Sequence, residues 1–161
     1  MLGAEPTVVA ILADSGRICL SKYHSTDWLR RMGFLDDDRP GLLVDAIGAV
    51  RTVTTSTPLA EAVAVGGDQP IVPVVQPGRD PGAATAVPEI LGVLDPAVAA
   101  DPATPVGELA GPPPFAVGTG ETAAEALARL DAAGAACAVL LRDGRLAGLV
   151  TRAALVARSR G

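Results

Sequence analysis

Aromatic residues are almost missing from this sequence: one Trp, one Tyr and two Phe among 161 residues. A core without large rings must be filled by Ala, Val and Leu, which pack closely where short strands are faced by short helices. Side chains that carry chemistry are scarce as well, with a single histidine, His24, and a single lysine, Lys22. The chain has no Ser-His-Asp set and no paired-carboxylate motif, and Gly118 and Gly120 in VGTGET lack the Lys that completes a phosphate loop. It therefore reads as non-catalytic. Cys19, His24 and Asp27 match no zinc spacing and lack a fourth ligand. Asp36, Asp37 and Asp38 lack the glycine and distal Glu of a calcium loop, so no metal is expected. Cys19 and Cys137 are expected to be reduced thiols, the latter a small buried hydrophobe. No segment approaches the roughly 20 apolar residues that span a bilayer. The apolar run from Thr7 to Leu12 is too soon interrupted to act as a signal peptide. A cytoplasmic chain without membrane insertion is expected. With a net charge of −5 there is no basic stripe to meet a phosphate backbone, which excludes nucleic acid as a partner.

What the sequence does contain is apolar runs, 49% of its residues being hydrophobic, punctuated by 18 glycines and 14 prolines. Such punctuation implies many turns rather than disorder. The richest stretch runs from Gly134 to Val156. Ala138–Leu141 and Leu146–Thr151 are β-compatible runs joined by Asp143-Gly144, a two-residue hairpin signal. Arg152 to Arg158 turns helical, with cations near its negative end. Upstream, Glu121–Gly134 reads as an Ala-rich helix with Leu127 and Leu130 on one face, preceded by a short strand over Phe115–Val117.

This β-α-β-β-α order occurs twice. Leu59–Val63 matches Ala123–Leu127 at an offset of 64, Pro73–Val75 matches Ala138–Leu140 at 65, and Leu91–Leu94 matches Ala147–Val150 at 56. The drop places an enlarged loop, Gln76 to Glu89, in the first copy where the second has only Arg142 to Arg145. Leu42–Ile47 opens the first copy as Thr104–Leu109 opens the second. Pro96 to Asp101 would be a poor, proline-bounded helix, and Gly111–Pro114 a stiff spacer. Met1 to Pro40 differs in composition. It predicts a hairpin of Thr7–Leu12 and Ile18–Tyr23, then a helix over Trp28–Leu35 with Trp28, Met32 and Leu35 on one side and Arg30 and Arg31 turned elsewhere. The expected organisation is a hairpin-helix appendage over residues 1–40, repeat 1 over 42–103 and repeat 2 over 104–161. The fold class is α+β, two tandem β-α-β-β-α repeats.

That order, with DGRLAGLVTR across the second hairpin, resembles the CBS domain, the cystathionine-β-synthase-type repeat, over roughly Thr104 to Ser159 and, through the internal repeat, as a pair. The resemblance implies a pseudo-twofold pair, face-to-face self-association of two chains as a homodimer, and clefts between repeats that take adenosyl ligands: AMP, ADP, ATP, NAD or S-adenosylmethionine. The family's binding phrase is Gly, two apolar residues, Ser or Thr, two variable residues, then an Asp for the ribose hydroxyls. Gly148-Leu149-Val150-Thr151 fits it, but the acidic position holds Ala154. In the first copy Gly92-Val93-Leu94 is followed by Asp95 and Pro96, and the acidic position is Val98. Neither Ala nor Val accepts hydroxyl hydrogen bonds. The ligand-binding residues so implied are Gly148, Thr151 and Arg152, Asp95 at the matching place in the first copy, and Thr54 and Thr119 after the two first strands. Thr151 and Arg152 at a helix start offer a hydroxyl, amides and a guanidinium to an anion. Equally, Thr151 reads as a helix cap, Arg152 as a solvated surface residue, and Thr54 and Thr119 as turn residues. Three functions stay open: a ligand-sensing regulatory module acting on an enzyme or transporter, a degenerate pair kept as a dimerisation or protein-interaction scaffold, and docking through residues 1–40 with Tyr23, Trp28 and Phe34.

Overall fold

The computed structural model describes residues 25–35, 39, 42–78, 84–86 and 89–160. The hairpin expected over residues 7–23, and Asp36 to Asp38, lie outside them. The described chain begins with helix α1 (Thr26–Arg31). A first sheet follows, made of β1 (Val53–Thr54), the crossover helix α2 (Leu59–Gly66), β2 (Val72–Val75) and β3 (Ile90–Leu94). The second is made of β4 (Ala116–Gly118), α3 (Ala123–Ala133), β5 (Cys137–Arg142), β6 (Arg145–Thr151) and the closing helix α4 (Arg152–Ser159). Each sheet has its strands in sequence order, the first pair parallel and the second antiparallel. A parallel pair requires a crossover and an antiparallel pair only a turn, which is why a helix follows each first strand and a hairpin each second. At the β5–β6 turn Asp143 and Gly144 have φ of 51° and 71°, the left-handed pair that matches strand twist.

Both sheets carry a register shift at the same place, between Val74 and Val75 and between Leu140 and Leu141. The rows Val53–Val74–Gly92 and Val117–Leu140–Gly148 set the offsets at 64, 66 and 56. The middle value corrects the 65 read from the sequence, so Val74 and not Val75 corresponds to Leu140. One residue matters here, because a slip of one turns every core side chain outward. The change from 64 to 66 arises because α3, with 11 residues, is three longer than α2, with 8, while the link from helix to the matching strand residue is one shorter. Where the second copy has α4, the first has turns from Pro96 to Asp101; Pro96 and Pro102 bracket too few residues for a helix.

Each sheet's core is completed by the other copy. Leu43, in a 3-10 turn (Leu43–Ala46) that opens the first copy, is fully buried with Val117, Ala126, Leu130, Leu140 and Leu155 of the second. Val106, in the turn (Val106–Glu108) that opens the second, is fully buried with Val53, Leu59, Val72, Val74 and Leu94 of the first. Backbone bonds fasten both: Leu43 N–H to Glu121 O at 3.0 Å and Gly48 N–H to Ala147 O at 2.9 Å, against Val106 N–H to Thr57 O and Gly107 N–H to Thr55 O, both at 2.9 Å. The exchange is reciprocal, as an approximate dyad requires.

The first-turn residues of α1 follow Ser25, whose hydroxyl accepts from Trp28 N–H at 3.2 Å. The helix thus starts two residues before the expected Trp28 and stops at Arg31, short of Leu35, where Gly33 takes a φ of 80°. It lies on the second sheet. Met32 is buried with Val139 and Leu141, and Trp28 packs on the same cluster and stacks on Phe34 at 5.8 Å between ring centres. Leu35, expected on that buried side, is exposed.

Candidate functional site

Two places gather polar groups where elements from different parts of the chain meet. The first is the end of the hairpins. Thr151 closes β6 and caps α4, its hydroxyl accepting from Ala154 N–H at 3.2 Å. Arg152 is exposed and turns to the end of α3, where Nε donates to Asp131 Oδ1 at 2.7 Å and Nη2 to Oδ2 at 3.4 Å. The Asp131 hydrogen bond and charge raise its already high pKa, so it stays a cation. Gly148 sits under the crossing backbone of the first copy's opening turn: a Cβ there would meet Ala46 O at 2.8 Å. Gly92 is covered in the same way by the carbonyl of Gly111. The glycine of the binding phrase thus serves close backbone approach in both copies. Asp95, exposed at the end of β3, accepts from Ala97 N–H at 2.8 Å through Oδ1 and forms an Asx turn.

Cys137 opens β5 opposite Thr151 and is half-buried rather than fully buried. Burial, and then the negative charge of Asp95, push its thiol above the ordinary cysteine range. At neutral pH the thiol is protonated and a weak nucleophile. In a Cys19→Ser background, Asp95→Asn should lower the alkylation midpoint of Cys137, because removing a nearby negative charge favours the thiolate. An unmoved midpoint in the pH profile of iodoacetamide labelling would separate the two groups.

The second place is the loop between β4 and α3. Thr119 is buried, its N–H bonded to Leu141 O at 2.8 Å, and its hydroxyl lies beneath Gly33 of the α1 segment. Thr54, paired with it in sequence, corresponds in the strand register to Gly118 instead. Its hydroxyl is bonded to Ser56 Oγ at 3.2 Å and Thr57 Oγ1 at 3.1 Å. Cβ atoms on Gly118 and Gly120 would run into the carbonyls of Arg31 and Arg30, and Gly120 N–H donates to Arg31 O at 3.1 Å. VGTGET is thus the seat of α1. The matching positions of the first copy, Thr54 and Ser56, keep side chains. That asymmetry is the sequence signal that could have told which copy receives the N-terminal segment.

Beside this seat lies a cavity of about 640 Å³ lined by Asp27, Arg30, Arg31, Arg39 and Glu125. Arg39 donates to Gly120 O at 3.0 Å and pairs with Glu125 at 3.5 Å. Glu125 completes a capping box with Thr122 at the start of α3. The Thr122 backbone amide, more than the Arg39 charge, holds its carboxyl below the usual range. Sequence reading did not bring these residues together because Glu125 stands 86 residues beyond Arg39 in the chain. Behind them Glu121 is fully buried, accepting from Gly118 N–H at 2.8 Å and ion-paired with Arg129.

Two β-α-β-β units that exchange their opening turns define a class: the fold is that of a CBS-domain pair. No family sequence model matches the chain, and no curated protein matches it by sequence. Among solved structures, the CBS domain of the bacterial CNNM/CorC family Mg2+ transporter in complex with ATP is 18% identical, with a TM-score of 0.57 over 74% of this chain and 87% of that one. CBSX2 in complex with AMP is 18% identical, with a TM-score of 0.53 over 74% and 96%. A CBS-domain protein of Agrobacterium tumefaciens is 16% identical, with a TM-score of 0.57 over 78% and 98%. Among the described residues no helix is long and apolar enough to cross a membrane.

Proposed function

We propose that this chain is a non-catalytic regulatory module, organised as repeats 42–103 and 104–161 behind residues 1–40, in which a small ligand between the repeats biases their mutual arrangement and a partner enzyme or transporter reads the change. The observation that carries this reading is the exchange of opening turns. Each repeat holds part of the other's core, so a ligand that shifts one opening turn strains the opposite sheet. The proposed cleft comprises Gly148, Thr151, Arg152 and Cys137 with Asp95 across from them; Thr119, bonded to Leu141 four residues along β5 from the Cys137–Thr151 pair, and Thr54, at the corresponding end of β1, stand at the other end of their sheets. Solved structures of the same fold with ATP or AMP support an adenosyl ligand. A thermal-shift panel of AMP, ADP, ATP, NAD and S-adenosylmethionine tests it. A ligand at 100 times its dissociation constant adds about 2.7 kcal/mol to stability, several degrees of melting temperature for a chain of this size. No shift with any of the five sinks the adenosyl reading.

A second reading, a scaffold that binds protein rather than ligand, is favoured by specific geometry. Thr151 already caps α4, Arg152 already holds Asp131, and the ribose-acid positions are Ala154 and Val98, the latter packed against the first core. On this reading the chain self-associates as a homodimer. Light scattering that returns a monomer at micromolar concentration, together with a silent ligand panel, would exclude both the dimer and the sensor.

A further inference from the structure

We propose that the arginine-lined cavity between α1 and the start of α3 is a second binding site, for the phosphate group of a small phosphomonoester, separate from the cleft between the repeats. The cavity, at about 640 Å³, lies in the size range of small-molecule sites and exceeds what a bare phosphate fills. Its charges are unevenly matched. Asp27 pairs with Arg30 at 3.4 Å and Glu125 with Arg39 at 3.5 Å, whereas Arg31 has no acidic partner among the described residues. Arg31 Nε is buried and has no hydrogen-bond partner there. That atom is sealed from the cavity, but Arg31 as a residue lines it, and a phosphate oxygen there meets a guanidinium charge that no carboxylate already holds. The site is also built on a rigid base. The carbonyls of Arg30 and Arg31 rest on Gly120 and Gly118, which lack side chains at that contact, so the two arginines are held by backbone rather than by loose side-chain packing. The positive end of the 11-residue α3, reached through Thr122 and Glu125, adds to the field. The carboxylate of Asp27 at the wall accepts hydroxyl donors, which suits a sugar phosphate better than a bare polyanion, whereas both oxygens of Glu125 are taken by Thr122 and Arg39.

The test uses the full chain and ribose 5-phosphate as probe, with ribose as control, followed by calorimetry and by thermal shift. Ribose 5-phosphate should bind and ribose should not. Arg31→Gln should weaken binding by about tenfold or more, the loss of one charge-assisted contact, with unfolding in the absence of probe measured alongside. Glu125→Gln gives a change that misfolding cannot imitate. Gln preserves the capping box while removing a negative charge from the wall, so binding should tighten several-fold. Equal affinity in Arg31→Gln, or no gain in Glu125→Gln, overturns the assignment. So does a response that appears only after Asp36, Asp37 and Asp38 are changed to Asn, which would give the arginines to the chain's own acidic run. Adenosine, which lacks phosphate, reports on the inter-repeat cleft alone, so failure there and failure here are separable.

Discussion

Leu43→Ala should destabilise the protein by about 2–5 kcal/mol, and the amides that lose hydrogen-exchange protection should be those of β4, β5, β6 and α3 rather than those of β1 to β3. Leu43 belongs by sequence to the first copy, yet it is fully buried in the core of the second. Truncation leaves a cavity among Val117, Leu130, Leu140 and Leu155, where neighbours held in sheet and helix can close it only in part. Val106→Ala is the mirror experiment. It removes two methyl groups from the first core, at a cost of about 2 kcal/mol, and should loosen β1 to β3. The paired measurement tests the exchange itself. If Leu43→Ala loosened its own copy, the two repeats would be independent domains joined by a linker, and the coupling that makes a sensor plausible would be gone.

The second large effect is expected from Arg129→Ala, about 3–5 kcal/mol. Glu121 is fully inaccessible to solvent, and its Oε2 has no hydrogen-bond partner among the described residues. Its carboxylate is compensated by the Gly118 amide and by Arg129, which also donates to Ala116 O at 3.2 Å and covers the ring of Phe115 at 5.1 Å. Removing the guanidinium leaves a buried charge facing a single amide. Removing the carboxylate is milder, because the Arg129 side chain is one-third exposed and can turn to water. Glu121→Gln keeps an acceptor for Gly118 and should cost less than Arg129→Ala. The double variant should be more stable than Arg129→Ala alone, since it carries no unpaired buried charge. Urea unfolding of the three variants decides this. A double variant as unstable as Arg129→Ala would mean that the arginine acts through packing on Phe115 and not through charge.

Much of the architecture was legible because it is written in local patterns. The hairpin of β5 and β6 follows from Asp143-Gly144 between two apolar runs, α3 from the Ala-rich run between Glu121 and Gly134, though its true start behind the Thr122/Glu125 capping box emerged only in the structure, and the tandem organisation from the repeated helix and hairpin phrases. The candidate site was less legible. Thr151 and Arg152 were found as a pair at a helix start, but their partners, Ala154 N–H and Asp131, decide that both are already engaged. The cavity arginines gave no signal, because Arg30, Arg31, Arg39 and Glu125 converge only when α1 settles on the loop before α3.

What the sequence by itself determined is the kind and order of elements, since strand period, turn chemistry and helix capping act over a few residues. Only the tertiary structure decided which copy fills which core, where α1 lies, and which polar groups remain open to a ligand. Those outcomes depend on contacts between residues as far apart as Leu43 and Leu155, or Arg31 and Gly118, whose close approach no local pattern encodes.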